Sequence, residues 1–591
     1  MTHRSSPDAT TIRKVWDLLT AEERRGAMVL LGLTFIGMAM ETLGVGLMIP
    51  SIALLTQRDF ASHYPALQPV IQVLGNPGQR SLVIGGMLVL IVVWVVKAVV
   101  LAIIARQQQR FVFGVQVELS QRLFLVYLRQ PYTFHLQRNS AQLIRNVINE
   151  VVVFAFNALQ GGMALVTESM LLLGLAALLL FVEPLGTLIV ASVLGTAAWA
   201  FHRLTRGRIV RSGQVRHDHD GLRLQHLQQG LGSAKDVKLL GREADFLEQY
   251  RVHTVQSARA GQRVATLRQL PRLWLELLAV TGLAVLVIRM AAQGRAPETV
   301  LPTLGLFAAA GFRLMPSVGR VISSTQSVRF GLPAVDTLRA ELSLAAPEPA
   351  GPRPPATPLR TALELSRVTF AYPGAPTAAL TDLSLTIRRG ESVGVVGDSG
   401  AGKSTLVDIL LGLLTPDRGE VRVDGEDIRH ALRNWQDQLG YVPQSIFLTD
   451  DTVARNVAFG LPDDKIDTAA VWRALRAAQL EDFVHDLPQG LGTPVGERGI
   501  RLSGGQHQRI GIARALYHDP AVLVLDEATS SLDIATERGV MQAVRALHGR
   551  KTVVIVSHRL STVEQCDRLY RLEQGRMVEE GKPETMLFGR P

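Results

Sequence analysis

Residues 397–404 read Gly-Asp-Ser-Gly-Ala-Gly-Lys-Ser and directly follow the apolar run Val393 to Val396. The pattern G-x-x-x-x-G-K-[ST] after such a run is that of a loop that cradles phosphates. Glycines are needed because backbone N–H groups must close around phosphate oxygens, while Lys403 reaches the β- and γ-phosphates and Ser404 can hold Mg²⁺. Residues Leu406 to Leu414 carry a helical pattern. The loop therefore also opens a helix whose positive N-terminal end faces the anion. Gly397, Asp398, Ser399, Gly400, Ala401, Gly402, Lys403, Ser404 and Thr405 are the candidate contacts to a nucleoside triphosphate. Farther along, Asp526 ends the apolar run Val522–Leu525, as a carboxylate on the Mg²⁺ side should. Glu527 beside it is the natural base or positioner for an attacking water.

A loop of this kind alone fits a kinase, a GTPase or a motor. The segment Leu502-Ser503-Gly504-Gly505-Gln506, followed by His507-Gln508-Arg509, narrows the choice. It resembles the signature sequence of ATP-binding cassette proteins, and Tyr372, Gln444, Asp526-Glu527, Asp533 and His558 stand in that family's order. The resemblance implies ATP as the nucleotide and Mg²⁺ as its metal, held by Ser404, Gln444 and Asp526. It further implies adenine stacking on Tyr372, metal and water sensing by Gln444, and a γ-phosphate contact from His558. In the family, Ser503 and the glycines after it, Gly504 and Gly505, bind the γ-phosphate held by an opposite cassette, and Gln506 and Asp533 count among the nucleotide residues. One cassette per chain then implies pairing, most simply as a homodimer, with a heterodimer as the alternative. Glu497, in Gly496-Glu497-Arg498-Gly499, resembles the segment with which exporters couple cassette and membrane domain.

These residues need elements to hold them, and the composition divides the chain in two. The first 340 of 591 residues carry long apolar stretches and the remainder does not. Stretches 26–55, 82–104, 151–182, 185–201, 273–290 and 300–321 are each near or above the length that favours a membrane helix. The expected fold is a multidomain membrane protein: a six-helix all-α transmembrane domain with long cytoplasmic helical extensions, followed by an α/β P-loop cassette. The expected boundaries are an N-terminal cytoplasmic segment at 1–24, the transmembrane domain at 25–335, a Pro-rich linker at 336–360 and the cassette at 361–591. The stretches 105–150 and 203–272 have few Gly or Pro and many helix formers, so they read as membrane helices continuing into the cytoplasm. Turning points fall at Pro131-Tyr132-Thr133-Phe134 and Gly230-Leu231-Gly232-Ser233, where the resembled exporters carry coupling helices.

Both long stretches are rich in arginine, including Arg106, Arg110, Arg122, Arg203, Arg206, Arg208 and Arg211, while 56–80 and 289–298 are not. This asymmetry puts both termini and the cassette in the cytoplasm of a multi-pass inner (plasma) membrane protein. It also accounts for much of the net charge of +10 through an anionic leaflet rather than nucleic acid. Met1 to Glu23 is polar and the first apolar stretch too long for a signal core, so the latter is expected to remain as an anchor. The single cysteine, Cys566, excludes an internal disulfide and reads as a small, partly buried residue.

Ionisable residues inside the apolar stretches are Glu41, Lys97, Glu168, Glu276 and Arg313. Such groups either pair with one another or touch substrate. Glu41, Lys97 and Arg313 are the substrate candidates, since a lipid pyrophosphate would suit a buried cation. The membrane half resembles the lipid-linked oligosaccharide flippases of bacterial glycosylation at Met40-Glu41-Thr42, Met48-Ile49-Pro50, Arg138-Asn139-Ser140, Leu143-Ile144-Arg145-Asn146, Lys238–Glu243 and Phe312–Pro316. The resemblance implies an ATP-driven exporter or flippase of a lipid-linked oligosaccharide or related amphipathic lipid. Alternatives are an exporter of peptides, drugs or other lipids, and a cassette ATPase without transport.

Overall fold

A computed structural model describes residues 7–47, 51, 54, 78–182, 184–292, 297–344, 359–528 and 534–588. Met48-Ile49-Pro50, most of the Pro-rich linker, Asp533 and the side chain of Arg313 lie outside the described residues. Two units are resolved by their contacts: Met1–Gln130 with Arg138–Ala346, and Pro131–Gln137 with Pro347–Pro591.

The first unit is all helix: α1 (Pro7–Leu18), α2 (Ala21–Gly46) and α3 (Gln79–Leu128) come before the short α4 (Tyr132–Gln137), which groups with the second unit. Then follow α5 (140–182), α6 (Pro184–Gly232), the short α7 (Ala234–Leu240), α8 (Glu243–Ala292) and α9 (Pro297–Leu342). Six of these are long: α2, α3, α5, α6, α8 and α9. Thr20 opens α2 with a reciprocal cap, its Oγ1 accepting from the Glu23 amide at 3.2 Å and its own amide donating to Glu23 Oε2 at 2.7 Å. Within α5, two π-helical stretches, Asn146–Glu150 and Phe154–Leu159, interrupt the α pattern.

Among the described residues, Ala21–Gly46, Gln79–Leu128 and Ser140–Phe181 are long and apolar enough to cross a membrane, with mean hydropathies of 1.8, 3.1 and 2.2. Their apolar side chains point outward, as in Leu88, Val92, Leu173 and Phe181, the last 90% exposed. A water-soluble fold does not present apolar surface on this scale; lipid is the solvent that suits it.

The sequence boundary at 335 falls inside α9, which runs to Leu342 with Val335 and Leu338 fully buried. Its final turns are good helix formers tied to α1, where Lys14 pairs with Asp336 at 2.7 Å and Asp17 with Arg339 at 3.2 Å. The N-terminal segment is thus part of the helical unit rather than a loose extension of it.

The second unit carries two sheets. A four-stranded antiparallel sheet has the order β2-β1-β4-β5, with β1 (Ala362–Phe370), β2 (Leu380–Arg388), β4 (Arg418–Val423) and β5 (Glu426–Asp427). A six-stranded sheet has the order β10-β9-β3-β8-β7-β6, with β3 (Ser392–Val396), β6 (Leu439–Val442), β7 (Val522–Asp526), β8 (Thr552–Val556), β9 (Arg568–Glu573) and β10 (Arg576–Gly581). All its pairings except β9 with β10 are parallel. β7 and β8 are buried at every position, which is why they read as unbroken apolar runs instead of alternating. The helices that concern the site are α10 (Lys403–Leu410), α11 (Thr468–Ala477), α12 (Gly504–Leu516) and α13 (Ile534–Arg545). Register sets Val395 and Asp526 on opposite sides of Val556, so the loops after β3, β7 and β8 leave the sheet side by side. Ligands of open parallel sheets bind at this carboxyl edge.

Candidate active site

The phosphate loop leaves β3 at Val396 and turns into α10 through Gly402. Gly402 has φ +101°, and a Cβ there would come within 2.8 Å of the Ala379 carbonyl oxygen, so both conformation and space require glycine. Lys403 follows, 8% exposed, its Nζ donating to the carbonyls of Gly397 at 2.7 Å and Asp398 at 3.0 Å. A buried ammonium with only neutral acceptors is undercompensated, and phosphate oxygens beside it would relieve that. Ser404 is exposed, whereas Thr405 is buried and its Oγ1 lies 3.2 Å from the Tyr372 hydroxyl. Tyr372 also packs edge-on to Phe370, with ring centres 5.1 Å apart, so its ring is fixed beside the loop helix.

Asp526, the last residue of β7, is buried, and its carboxyl is held above the usual carboxylate range by burial and then by Glu527, with Lys403 acting in the opposite sense. A cation at this carboxylate would reverse that balance. Glu527 takes φ +47°, with its amide donating to the Val556 carbonyl at 2.9 Å. This left-handed turn aims the side chain away from the strand, where Oε2 accepts from Gln444 Nε2 at 2.8 Å and Oε1 lies 3.4 Å from His558 Nδ1. Three segments distant in sequence, after β6, β7 and β8, thus meet on one carboxylate.

Among the described residues no three His, Cys, Asp or Glu form a metal cage. Mg²⁺ does not need one: it commonly takes one or two carboxylates and completes its shell with phosphates and water. Ser404, Gln444 and Asp526 are the donors of that kind present.

The signature segment is built differently. Ser503 caps α12, its Oγ accepting from the Gln506 amide at 3.2 Å, while Gln506 Oε1 accepts from the Ser503 amide at 2.8 Å. Gln506 is therefore occupied in shaping the helix start. Ser503 and Gly504 remain exposed at the N-terminal end of a 13-residue helix. No hydrogen bond or ion pair among the described residues joins Ser503–Gln506 to the phosphate loop, Asp526 or Glu527. Asp533 lies outside the described residues, and Glu497 is exposed in a short turn.

Several residues of this region escape a reading by motif. Arg514 on α12 donates to the carbonyls of Phe447 and Asn456, each at 2.8 Å, so the signature helix grips the segment that follows Gln444. Burial brings its guanidinium down to about 10. An arginine inside the apolar run Ile510 to Leu516 was the available signal. Gly511 of the same helix packs on Ile446, where a Cβ would approach Ile446 Cδ1 to 2.3 Å. Asp408 on α10 is pushed up to about 6 by burial and by Asp526. Tyr132 of α4 has Asp408 and Tyr372 among its electrostatic neighbours, its phenol raised first by burial. Cys566 is fully buried, its thiol pushed up to about 12, and is chemically quiet.

The charged residues of the apolar helices mostly pair. Lys97 Nζ lies 3.2 Å from Glu41 Oε2, both buried, and 3.7 Å from the centre of the Trp94 ring. Glu168 is bonded by both the Nε and the Nη2 of Arg320.

The sequence pattern of the ABC transporter family matches residues 380–530. The ATP-dependent lipid A-core flippase of Cupriavidus metallidurans is 34% identical over 479 residues, 79% of this chain and 79% of that protein. The protein of the same name from Ralstonia nicotianae is 34% identical over 479 residues, 80% of each chain. Among solved structures, a bacterial Atm1-family ABC exporter with ATP bound aligns over 95% of this chain and 96% of its own, with a TM-score of 0.78 and 23% identity.

Proposed function

The chain belongs to the ATP-binding cassette exporters, and from that premise we propose that it hydrolyses ATP to flip a lipid-linked saccharide across the inner membrane, as a dimer working by alternating access. The observation that carries the ATPase part is the meeting of Gln444 and His558 on Glu527, beside Asp526 and Lys403, at the carboxyl edge of one sheet. The lipid part rests on relatives named lipid A-core flippases, each a third identical along most of the chain.

In this reading, Gly397 to Thr405 wrap the phosphates with backbone amides, and Lys403 turns its ammonium from the loop carbonyls to the β- and γ-oxygens. Tyr372 offers its ring face to adenine. Ser404, Gln444 and Asp526 would hold Mg²⁺, which when bound would neutralise charge on the phosphates. Glu527 aligns a water and takes its proton; Gln444 fixes one carboxylate oxygen, leaving the other toward His558, which contacts the γ-phosphate.

Ser503, Gly504 and Gly505 complete the site of a second copy, the open start of α12 facing the other subunit's γ-phosphate. Two features support this pairing. The signature has no bond to its own chain's loop among the described residues, and Leu231, Leu239, Leu240 and Ile500 are 75%, 81%, 69% and 83% exposed. Large aliphatic side chains so placed suit cover by another subunit. Closure of the cassettes on ATP opens the cavity away from the cytoplasm, and hydrolysis resets it. The arginine-rich extensions keep the cassette and both termini cytoplasmic.

The test is the ATPase rate of the purified protein in liposomes with and without a phosphorylated glycolipid of the lipid A-core type. Stimulation by the glycolipid is expected; a rate indifferent to it, but raised by peptides or drugs, would transfer the protein to another substrate class.

A further inference from the structure

α6 and α8 pack along one another and are joined at one end by α7. Three imidazoles meet between them. His219 and His226 stand two turns apart on one face of α6, and His253 of α8 touches both. The Nδ1 atoms of His219 and His253 are 2.9 Å apart. The His253 ring is tilted by 36° to that of His219 and stacked within 10° on that of His226, with ring centres 5.2 Å apart in both pairs. At 2.9 Å one nitrogen must donate and the other accept, so the bond exists only while one of the two Nδ1 atoms carries no proton. The Nδ1 of His226 is buried and has no hydrogen-bond partner, so no acceptor stands by for a proton added there.

The carboxylates nearby are engaged or turned to solvent. Asp218 is exposed, and Asp220 accepts from Ser257 Oγ of α8 at 2.6 Å with Arg216 and Arg223 at 3.4 and 3.5 Å. Glu248 of α8 is bonded by both the Nε and the Nη2 of Arg251. From α5 comes Arg145, 3.8 Å from Glu150 and so close to Gly221 that a Cβ there would meet its Nη1. α9 sets the Phe330 ring 5.5 Å from the Arg216 guanidinium. His219 also borders a cavity between α6 and α8 that admits water and protons, and the charged residues lining it, Arg208, Arg211, Arg259 and Arg263, add only positive charge. Burial first, then His219 and His226, hold His253 below its ordinary 6.5, and no carboxylate among the described residues acts on it.

We infer that His219, His226 and His253 form an acid-sensitive clasp: at neutral pH the rings hold α6 and α8 together, and further protonation drives the helices apart and slows ATP turnover. A ring that titrates lower in the closed arm than when free favours the closed arm at neutral pH. That advantage shrinks as pH falls below 6.5, because the separated arm takes up the proton more readily. At a rise of 1.5 Å per residue, the rings on α6 stand about 9 and 20 Å short of its end at Gly232, so the clasp acts on the part of the arm that carries α7. Its opening needs no substrate; its effect on turnover rests on the ATPase reading above.

The experiment places spin labels on the full-length protein in nanodiscs at Gln228→Cys of α6 and Gln249→Cys of α8, both exposed, while the native thiol of Cys566 is buried and stays unlabelled. Label-to-label distances and steady-state ATPase are read at about pH 7.5 and about pH 5.5. The parent should show one narrow distance at the higher pH and a longer, broader distribution at the lower, with its ATPase rate falling severalfold. His253→Phe keeps a ring in the stack but cannot titrate. It should match the parent's ATPase rate at the higher pH, hold the same distance at both, and lose at least about twofold less of its rate on acidification. Groups that titrate elsewhere, Asp408 among them, act alike in both proteins and cancel in the comparison. A parent distance that does not respond to pH overturns the clasp, and an equal response in His253→Phe overturns its assignment to these rings. Equal ATPase profiles in parent and variant overturn the effect on turnover. If His253→Phe lacks ATPase at the higher pH, His219→Gln carries the same test with the same expected outcome. A parent that changes distance with pH but hydrolyses no ATP at either value defeats the ATPase reading alone and leaves the clasp standing.

Discussion

Replacing Glu527 by Gln removes the proton acceptor and almost nothing else. The amide is the same size, and its oxygen can still accept from Gln444 Nε2, now 2.8 Å from the carboxylate. The turn at φ +47° is set by backbone bonding to Val556 and remains. His558 loses an ion partner, but its side chain is 56% exposed, where such a pair contributes about 0–1 kcal/mol. Folding and ATP binding should therefore be nearly those of the parent. Hydrolysis should not: a positioned general base contributes about 10²–10⁴ in rate, or roughly 3–5 kcal/mol in barrier. Steady-state ATPase in liposomes should fall at least about a hundredfold while nucleotide stays bound and the cassettes stay paired. A variant that turns over within about threefold of the parent would refute the assignment of Glu527, whatever else remained intact.

Asp408→Asn tests a burial cost. An aspartyl group that titrates near 6 when folded, against an ordinary 3.8, makes stability fall as pH rises between those values and leaves the full penalty above them. The shift would amount to about 3 kcal/mol if fully carried, and to about 1–2 kcal/mol after solvent screening at this half-buried site. The nucleotide-free variant should melt higher than the parent at pH 7 and alike near pH 4; a lower melting point at pH 7 counts against it. Lys97→Met alone should destabilise by about 3–5 kcal/mol, by leaving Glu41 buried and charged, and Glu41→Leu added to it should restore most of the loss, read by thermal unfolding in lipid. No recovery in the double variant would mean the pair is more than mutual compensation. Gly511→Val drives a side chain into Ile446, so it should cost about 1–3 kcal/mol and slow ATPase through the Gln444 segment; full activity would show that α12 and this segment can part freely.

The candidate nucleotide site was legible because the chemistry proposed for it demands particular residues at particular spacings. Gly402 needs a left-handed backbone, Lys403 must follow at the helix start, and Asp526 must end a strand; each leaves a mark in one dimension. The apolar runs that became β3 and β7 likewise fit the strands of an α/β cassette. Residues whose role depends on tertiary neighbours left no such mark. Gln506 reads as a ligand in its motif, yet its side chain closes a capping box. Asp408 acquires its character from burial first and then from Asp526 folded near it, and Arg514 because Phe447 and Asn456 turn their carbonyls toward it. The expected boundary at 335 falls inside α9, where the burial of Leu338 and the ion pairs to α1 carry the helix on to Leu342. The π-helical stretches in α5 have no compositional signature at all. Lys97 and Glu41, far apart in sequence, were each visible as an intramembrane charge that either pairs or touches substrate, but which carboxylate meets Lys97 was not.

The central claim is that ATP turnover at Glu527 moves a lipid between leaflets, and a leaflet-accessibility assay tests it most directly. Liposomes carrying the protein and a fluorescent phosphorylated glycolipid are treated with a membrane-impermeant quencher, with ATP, without ATP, and with Glu527→Gln in place of the parent. The account predicts ATP-dependent transfer by the parent alone. Transfer that is equal without ATP, or equal in Glu527→Gln, would contradict it.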